Sequence, residues 1–369
     1  MRLIFAIKAL SSAGGGAERV FVEVVNGLAT RGHEIHVLTA DQPGQVSFYP
    51  LDAKINWITL GIGKVDRAAT LYDVIARIWQ YRRNATRLQP EAVVAFMHST
   101  FIPLGLALAG TGIPVIASEH ILPAHYATRP LERALLAIMP WFTRRITVVS
   151  DQVKREYPRN LRNIMGVISN PITVKVSQRA NVTGHGKTRK TLLSIGRLAD
   201  QKDHITLIEA FARIAPRVPE WDLRIVGDGE LREKLEQRVI KLEMSNRIFL
   251  PGATSHVSEE YASAQLFVLP SLYESLGLVL IEALQHGLPA VGFADCAGVN
   301  TLIYPQHNGV LVSGPDRIAS LAETLERLMK DDAAREALVV SSDELADSFN
   351  LSKVLDRWEE LLNDVSSAG

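Results

Sequence analysis

Short apolar runs alternate with amphipathic stretches along almost the whole chain. In the first half the runs are RLIFAI (2–7), EIHVLTA (34–40), AVVAF (92–96), PVIAS (114–118) and RITVVS (145–150). Between them, 17–31, 71–88 and 130–138 carry apolar residues at helical spacing. The second half repeats the pattern with TLLSIG (191–196), DLRIVGD (222–228), RIFLPG (247–252), LFVLP (266–270), PAVGF (289–293) and GVLVS (309–313). Helix-like stretches at 205–215, 230–243, 277–285 and 318–328 separate these. Strands that read as continuous apolar runs, with helices between, imply parallel sheets covered on both faces. Eleven strands are too many for one open sheet, and the polar, aperiodic segment 170–190 offers a break. The pattern predicts an α/β protein with two doubly wound, Rossmann-like domains, 1–169 and 191–350, joined by a linker at 170–190 and facing each other across a cleft. The segment 351–369 reads as an amphipathic helix with Leu351, Val354, Leu355, Trp358 and Leu361 on one side, able to cap either domain.

Composition narrows the class. The chain has 369 residues, 47% hydrophobic and 22% charged, which suits globular domains and excludes a disordered protein. Forty basic residues balance forty acidic ones, but unevenly: residues 1–165 hold 19 Lys/Arg against 12 Asp/Glu, leaving 21 against 28 for the rest. A net +7 front half suits an anionic surface. The lone cysteine, Cys296, excludes an internal disulfide and fits a reducing, cytoplasmic compartment. The N-terminal MRLIFAIKALSSAG reads as a strand and a turn, because Lys8 interrupts the apolar run. The uncharged stretch 99–118 contains Pro103, Gly105, Gly110, Gly112 and Pro114, and so reads as helix, turn and buried strand rather than a bilayer span.

Candidate chemistry lies in the loops that follow strands. After the first strand, Gly14, Gly15 and Gly16 permit a tight turn close to a ligand, and the helix behind them presents its N-terminus. The spacing is not that of the dinucleotide fingerprint. Past the strand ending at Ile195, Arg197 and Lys202 can clamp a diphosphate, the first as a fork and the second as a point charge. In VGDGE, Gly229 marks another turn and Asp228 is placed to cap the following helix. The stretch 266–291 contains only two acidic residues and no Lys or Arg. These are Glu274 in a loop and Glu282, eight positions on, in a helix whose N-terminal amides near Leu278 and Val279 can face phosphate. A carboxylate at Glu282 can accept two hydrogen bonds from a vicinal diol such as a ribose.

GGGAERV, SIGRLADQKD, GDGE and PSLYESLGLVLIEALQHGLPAV together resemble the family-4 retaining glycosyltransferases of GT-B fold, over nearly the whole chain. SEH (118–120) and ISNPI (168–172) resemble the family's acceptor-side histidine and interdomain crossover. The resemblance implies that Arg197 and Lys202 hold the donor diphosphate and that Glu282 binds the ribose. It implies that Glu274 contacts the transferred sugar and that amides near Leu278 and Val279 reach the phosphates. Gly15 and Gly16 would border diphosphate and acceptor, with His120 near the reacting carbon. No cofactor is expected beyond the nucleotide-sugar substrate, most simply a UDP-sugar. No Asp-x-Asp occurs, and HEIH (33–36) falls one residue short of the zinc-protease motif, so no metal is expected. The acceptor implied is a glycan, polyprenyl-diphosphate-linked, in surface polysaccharide assembly; no nucleic-acid partner is implied.

Two helix-like stretches bear on location. Segment 71–88 carries Arg77, Arg82, Arg83 and Arg87 with Trp79 and Tyr81, and 133–145 is similar. Basic helices with aromatics suit the face of an anionic bilayer and a peripheral membrane enzyme. Two other readings stand beside the transferase: a nucleotide-sugar epimerase of the same architecture, and a non-catalytic sugar-nucleotide-binding regulator.

Overall fold

Apolar runs become strands wherever both faces of the run can be covered. The structure, a computed structural model, describes residues 1–11, 16–63, 70–126, 129–172, 176, 178–339 and 349–367. The chain divides into two compact units, Met1–Thr173 with Phe349–Gly369, and Val174–Ser348.

The first unit is built on a seven-stranded sheet of order β3-β2-β1-β4-β5-β6-β7. Its strands are β1 Arg2–Ala6, β2 Glu34–Thr39, β3 Asn56–Thr59, β4 Ala92–Phe96, β5 Val115–Ser118, β6 Arg145–Val148 and β7 Met165–Val167. Every neighbouring pair is parallel. The helices between them are α1 Gly16–Thr30, α2 Leu71–Leu88, α3 His98–Leu108, α4 Pro130–Ala137, α5 Asp151–Glu156 and α6 Arg159–Arg162. The all-apolar β4 is buried at every residue, as a strand covered on both faces must be. The uncharged stretch 99–118 resolves into most of α3, a turn and β5. Among the described residues, no helix is long and apolar enough to cross a membrane.

The edge strands β3 and β7 are absent from the sequence expectation for a physical reason. As edge strands they are mostly only part-buried, β3 having no buried residue and β7 one, so neither is written as a continuous apolar run.

The second unit holds a six-stranded parallel sheet of order β10-β9-β8-β11-β12-β13. Its strands are β8 Lys190–Ile195, β9 Trp221–Val226, β10 Ile248–Gly252, β11 Leu266–Leu269, β12 Ala290–Phe293 and β13 Gly309–Val312. Its helices are α7 His204–Ile214, α8 Arg232–Lys241, α9 Val257–Ser263, α10 Leu278–Gln285, α11 Ala297–Asn300, α12 Arg317–Lys330 and α13 Asp332–Ala337. Residues 178–189, read from sequence as part of a linker, are tied into this unit. The fully buried Arg335 donates to the carbonyls of Val182 (2.8 Å) and Leu328 (2.5 Å), and Gln265 donates to that of Asn181 (3.1 Å).

The last helix, α14 Leu351–Ser367, packs on the first unit. Its buried side carries Val354, Leu355, Trp358, Leu362 and Val365. Trp358 stacks on Phe96 (centroids 6.0 Å) and meets the edge of Phe5 (6.3 Å). Gly27 of α1 lies directly under Leu355, where a β-carbon would come within 2.5 Å of Leu355 Cδ1. Salt bridges rim the contact: Arg31 to Glu359 at 2.6 Å, His33 to Glu359 at 2.9 Å and Arg145 to Asp364 at 3.0 Å. The two passages of chain at this unit's boundary pair side by side, Ile172 N–H donating to Phe349 O at 2.9 Å.

Candidate functional site

In each sheet the order reverses once, beside β1 in the first unit and beside β8 in the second. Such reversals open a crevice at the carboxyl ends of the strands, where doubly wound sheets bind ligands. In the second unit the loops leaving β8 and β11 flank that crevice, and they carry Arg197, Lys202 and Glu274.

These loops are bonded to each other. Leu272 N–H donates to Gln201 O (2.9 Å), and Gln201 Nε2 donates to Tyr273 O (2.8 Å). Across that brace Lys202 Nζ pairs with Glu274, which also accepts from Ser271 Oγ at 2.7 Å. Glu274 is only 6% exposed. A buried carboxylate needs such compensation, and a cation 72 positions away in sequence supplies it. Gly298 makes room: a β-carbon there would lie 2.3 Å from Glu274 O. Beside the pair, burial and the nearby Glu274 push the Cys296 thiol up to about 12, so it behaves as a packed apolar group.

Arg197 comes from the same loop as Lys202 but is exposed, and it pairs with Glu230 at 3.2 Å. Gly229 has a packing reason: a β-carbon there would come within 2.5 Å of Leu198 O. Leu198 N–H bonds Asp228 O (2.9 Å), so the turn after β9 supports the Arg197 loop from beneath. Asp228 does not cap α8, which starts at Arg232. It accepts instead from Arg232 Nε (3.0 Å) and Gly229 N–H (2.8 Å).

Glu282 has a protein partner that sequence reasoning did not supply. Tyr261 of α9, itself fully buried, donates its hydroxyl to Glu282 Oε2 at 2.9 Å. One phenol fills one of a carboxylate's roughly four acceptor positions and sets its rotamer. Leu278 and Val279 form the first turn of α10; the Leu278 amide donates to Leu276 O at 2.8 Å.

In the first unit, His120 sits just past β5. Its ring stacks on Phe96 (4.8 Å, 19°), and Nε2 lies 3.0 Å from Ser118 Oγ. Thr147 donates to that same Oγ at 2.9 Å. Burial holds the ring's pKa down at about 4, so it is neutral near pH 7. Its neighbour Glu119, fully buried, accepts from His120 N–H (2.9 Å), Ile121 N–H (3.0 Å) and Tyr126 Oη (2.6 Å). Burial pushes that carboxyl up to about 7 despite the three donors. Gly16 opens α1 and is exposed, whereas Gly14 and Gly15 lie outside the described residues. The loop leading to them is held by buried Asp41, which accepts from Leu10 N–H at 2.8 Å and Ser11 Oγ at 2.5 Å.

Comparison with known proteins bears on what this arrangement serves. Residues 177–342 match glycosyl transferases group 1, and residues 14–176 match Glycosyltransferase Family 4. The chain belongs to the family-4 glycosyltransferases. A relative from Campylobacter jejuni is 28% identical over the whole of both chains. It is an N-acetylgalactosaminyltransferase acting on an undecaprenol-diphosphate-linked glycan. Sucrose-phosphate synthase from Thermosynechococcus elongatus superposes with a TM-score of 0.84 at 18% identity, covering all of both chains. Anabaena HepE, solved with UDP and glucose, superposes with a TM-score of 0.77 at 17% identity, over 99% of this chain and 100% of its own. These structural likenesses establish the GT-B fold.

As a family-4 glycosyltransferase using a nucleotide sugar, the protein places Lys202 and Glu274 in direct contact, with Arg197 in the same loop as Lys202. One side chain that organises these loops was missed. Arg317 at the start of α12 pairs with Asp295 (2.8 Å), donates to Pro270 O (3.2 Å) and lies 3.6 Å from Asp203. It thereby ties the loops after β8, β11 and β12 together, with its guanidinium 3.6 Å above the Phe293 ring. No local motif surrounds it, so no sequence signal marks it.

Proposed function

We propose that the enzyme is a retaining transferase that moves a hexose or N-acetylhexosamine from a UDP-sugar to a polyprenyl-diphosphate-linked glycan in surface polysaccharide assembly. The observation that carries this reading is the Lys202–Glu274 pair at the strand-order reversal of the second unit. Lys202 and Arg197 meet the charge that develops on the departing diphosphate, as preorganised cations do at other leaving groups. Glu274, held by Lys202 and Ser271, presents its remaining acceptor capacity to sugar hydroxyls. Glu282, oriented by Tyr261, accepts from the ribose diol. His120, neutral, offers a hydrogen bond near the reacting carbon rather than a charge. In this scheme the leaving diphosphate takes the acceptor's proton, and the protein contributes position and charge. The acceptor class is supported by the C. jejuni relative, and the uridine base by HepE with UDP.

A thermal-shift panel tests the donor. At 100 times Kd a ligand adds about 2.7 kcal/mol to stability, so UDP-sugars are expected to raise Tm where GDP- and ADP-sugars do not. Incubation with an undecaprenyl-diphosphate-linked glycan should then yield a product with the donor's anomeric configuration. A shift confined to GDP- or ADP-sugars overturns the donor assignment. Sugar interconversion without acceptor would mark an epimerase, and binding without turnover a regulator.

Membrane association rests on α2. Leu71, Ile75 and Trp79 form an exposed apolar stripe at helical spacing, and Arg83 lies over the Trp79 ring (5.2 Å). Arg77, counted with the basic face from sequence, is buried and does not contribute. Flotation with phosphatidylglycerol vesicles at low salt should lift the wild-type protein and leave Trp79→Glu behind. Wild-type protein remaining at the bottom of the gradient would end this idea.

A further inference from the structure

Three chemistry-bearing side chains that take no part in the donor scheme meet in the first unit. His98 is the first residue of α3, His125 lies in the 3-10 turn Pro123–Tyr126, and Glu132 is in the first turn of α4. All three follow the carboxyl ends of β4 and β5, the edge on which doubly wound sheets bind ligands. One ligand atom from each lies within 4.8 Å of the others.

One imidazole is short of a partner: His125 Nε2 is buried without a hydrogen bond. Buried ring nitrogens normally find a partner, and an unpaired one calls for an explanation. His98 Nε2 stands 3.4 Å from Glu132 Oε2. Two ligands on a tetrahedral zinc-class ion, at bonds of about 2.0–2.1 Å, are separated by roughly 3.4 Å. That edge of a coordination shell is thus already in place, with a ring nitrogen of His125 within 4.8 Å. Arg129 Nη1 donates to Glu132 Oε1 at 3.2 Å and reaches Oε2 at 3.5 Å. Outer hydrogen bonds of this kind fix a ligating carboxylate. Backbone strain accompanies the site: Met97, just before His98, has φ +69°, which costs energy in a side-chain-bearing residue.

We infer that His98, His125 and Glu132 form a site for a divalent transition metal of the zinc class, with three protein ligands and one position left for water. Nitrogen-rich, mixed imidazole–carboxylate sets select such ions over magnesium or calcium. Tyr126 connects the site to the acceptor-side loop: its ring meets His98 (5.2 Å) and His125 (5.4 Å) edge-on, and its hydroxyl holds Glu119. Metal binding would therefore brace the segment that carries His120.

Cobalt(II) reports directly on this chemistry. Tag-free full-length protein, stripped with chelator, is titrated with Co²⁺ and read in the visible. One equivalent should give the intense bands of a four-coordinate site, and Zn²⁺ should bleach them. His98→Ala and His125→Ala should each abolish the bands, and Glu132→Gln should weaken Co²⁺ binding at least tenfold. Far-UV circular dichroism shows which variants are folded, and any one of the three suffices for the test. Absence of one-equivalent binding in the wild type, or bands that persist unchanged in a folded variant, would overturn the proposal. The Co²⁺ bands and far-UV circular dichroism, which alone decides whether a variant is folded, do not depend on the identity of the sugar donor or acceptor.

Discussion

Replacing Lys202 with methionine is expected to lower kcat/KM by about 10²–10³-fold while leaving the protein folded. Removing one preorganised group that stabilises developing charge costs roughly that factor in other enzymes. Lys202 is suited to the role because its ammonium is held by Glu274 and by a loop bonded to the loop after β11, so no reorganisation is needed when diphosphate departs. Methionine keeps the stem's bulk and deletes the charge. It also leaves the Glu274 carboxylate buried with Ser271 but without its cation, and breaking a buried pair costs about 3–5 kcal/mol. A double variant, Lys202→Met with Glu274→Gln, separates the two effects. It should recover most of the stability seen in urea unfolding and none of the activity. Wild-type turnover in folded Lys202→Met would remove Lys202 from the mechanism.

Truncating Trp358 to alanine should destabilise the first unit by about 3–5 kcal/mol, the usual cost of emptying a large aromatic from a packed site. The side chain is 3% exposed and lies against Phe96 and Phe5. The same Phe96 stacks on His120, so the helix residue and this histidine share one aromatic column. Urea unfolding followed by circular dichroism should show an early transition absent from the wild type. Trp358→Phe, which keeps a ring in the column, should lose far less. An unchanged unfolding curve for the alanine variant would mean that α14 contributes no stability through this contact.

The strands could be read from sequence because parallel sheets bury both faces, which writes each strand as an unbroken apolar word. AVVAF and LFVL are such words, and both are strands buried throughout. Helices with one apolar stripe were also legible: 71–88 is helical over the full predicted span. Partners that meet only in three dimensions were not. Tyr261 lies 21 residues from Glu282, and Arg317 lies 47 residues from Pro270. Asp41 sits in unremarkable surroundings, and only its burial and bonds reveal that it fastens a loop. Arg77 shows the converse limit. A helical pattern cannot say which arginine turns inward, and this one folds back on its own helix, donating to Asp73 O at 3.3 Å.

Because α14 belongs to the first unit, that unit is discontinuous in the chain, with 174–348 made between its two parts. On the ribosome, the sheet of Phe5 and Phe96 emerges early, yet Trp358, which covers it, is translated 185 residues after Thr173, where the first stretch ends. At about 5–20 residues per second, this aromatic surface waits on the order of ten seconds or more for its cover. A stop codon just before the final helix would release a protein whose downstream unit is complete and whose upstream unit is left open.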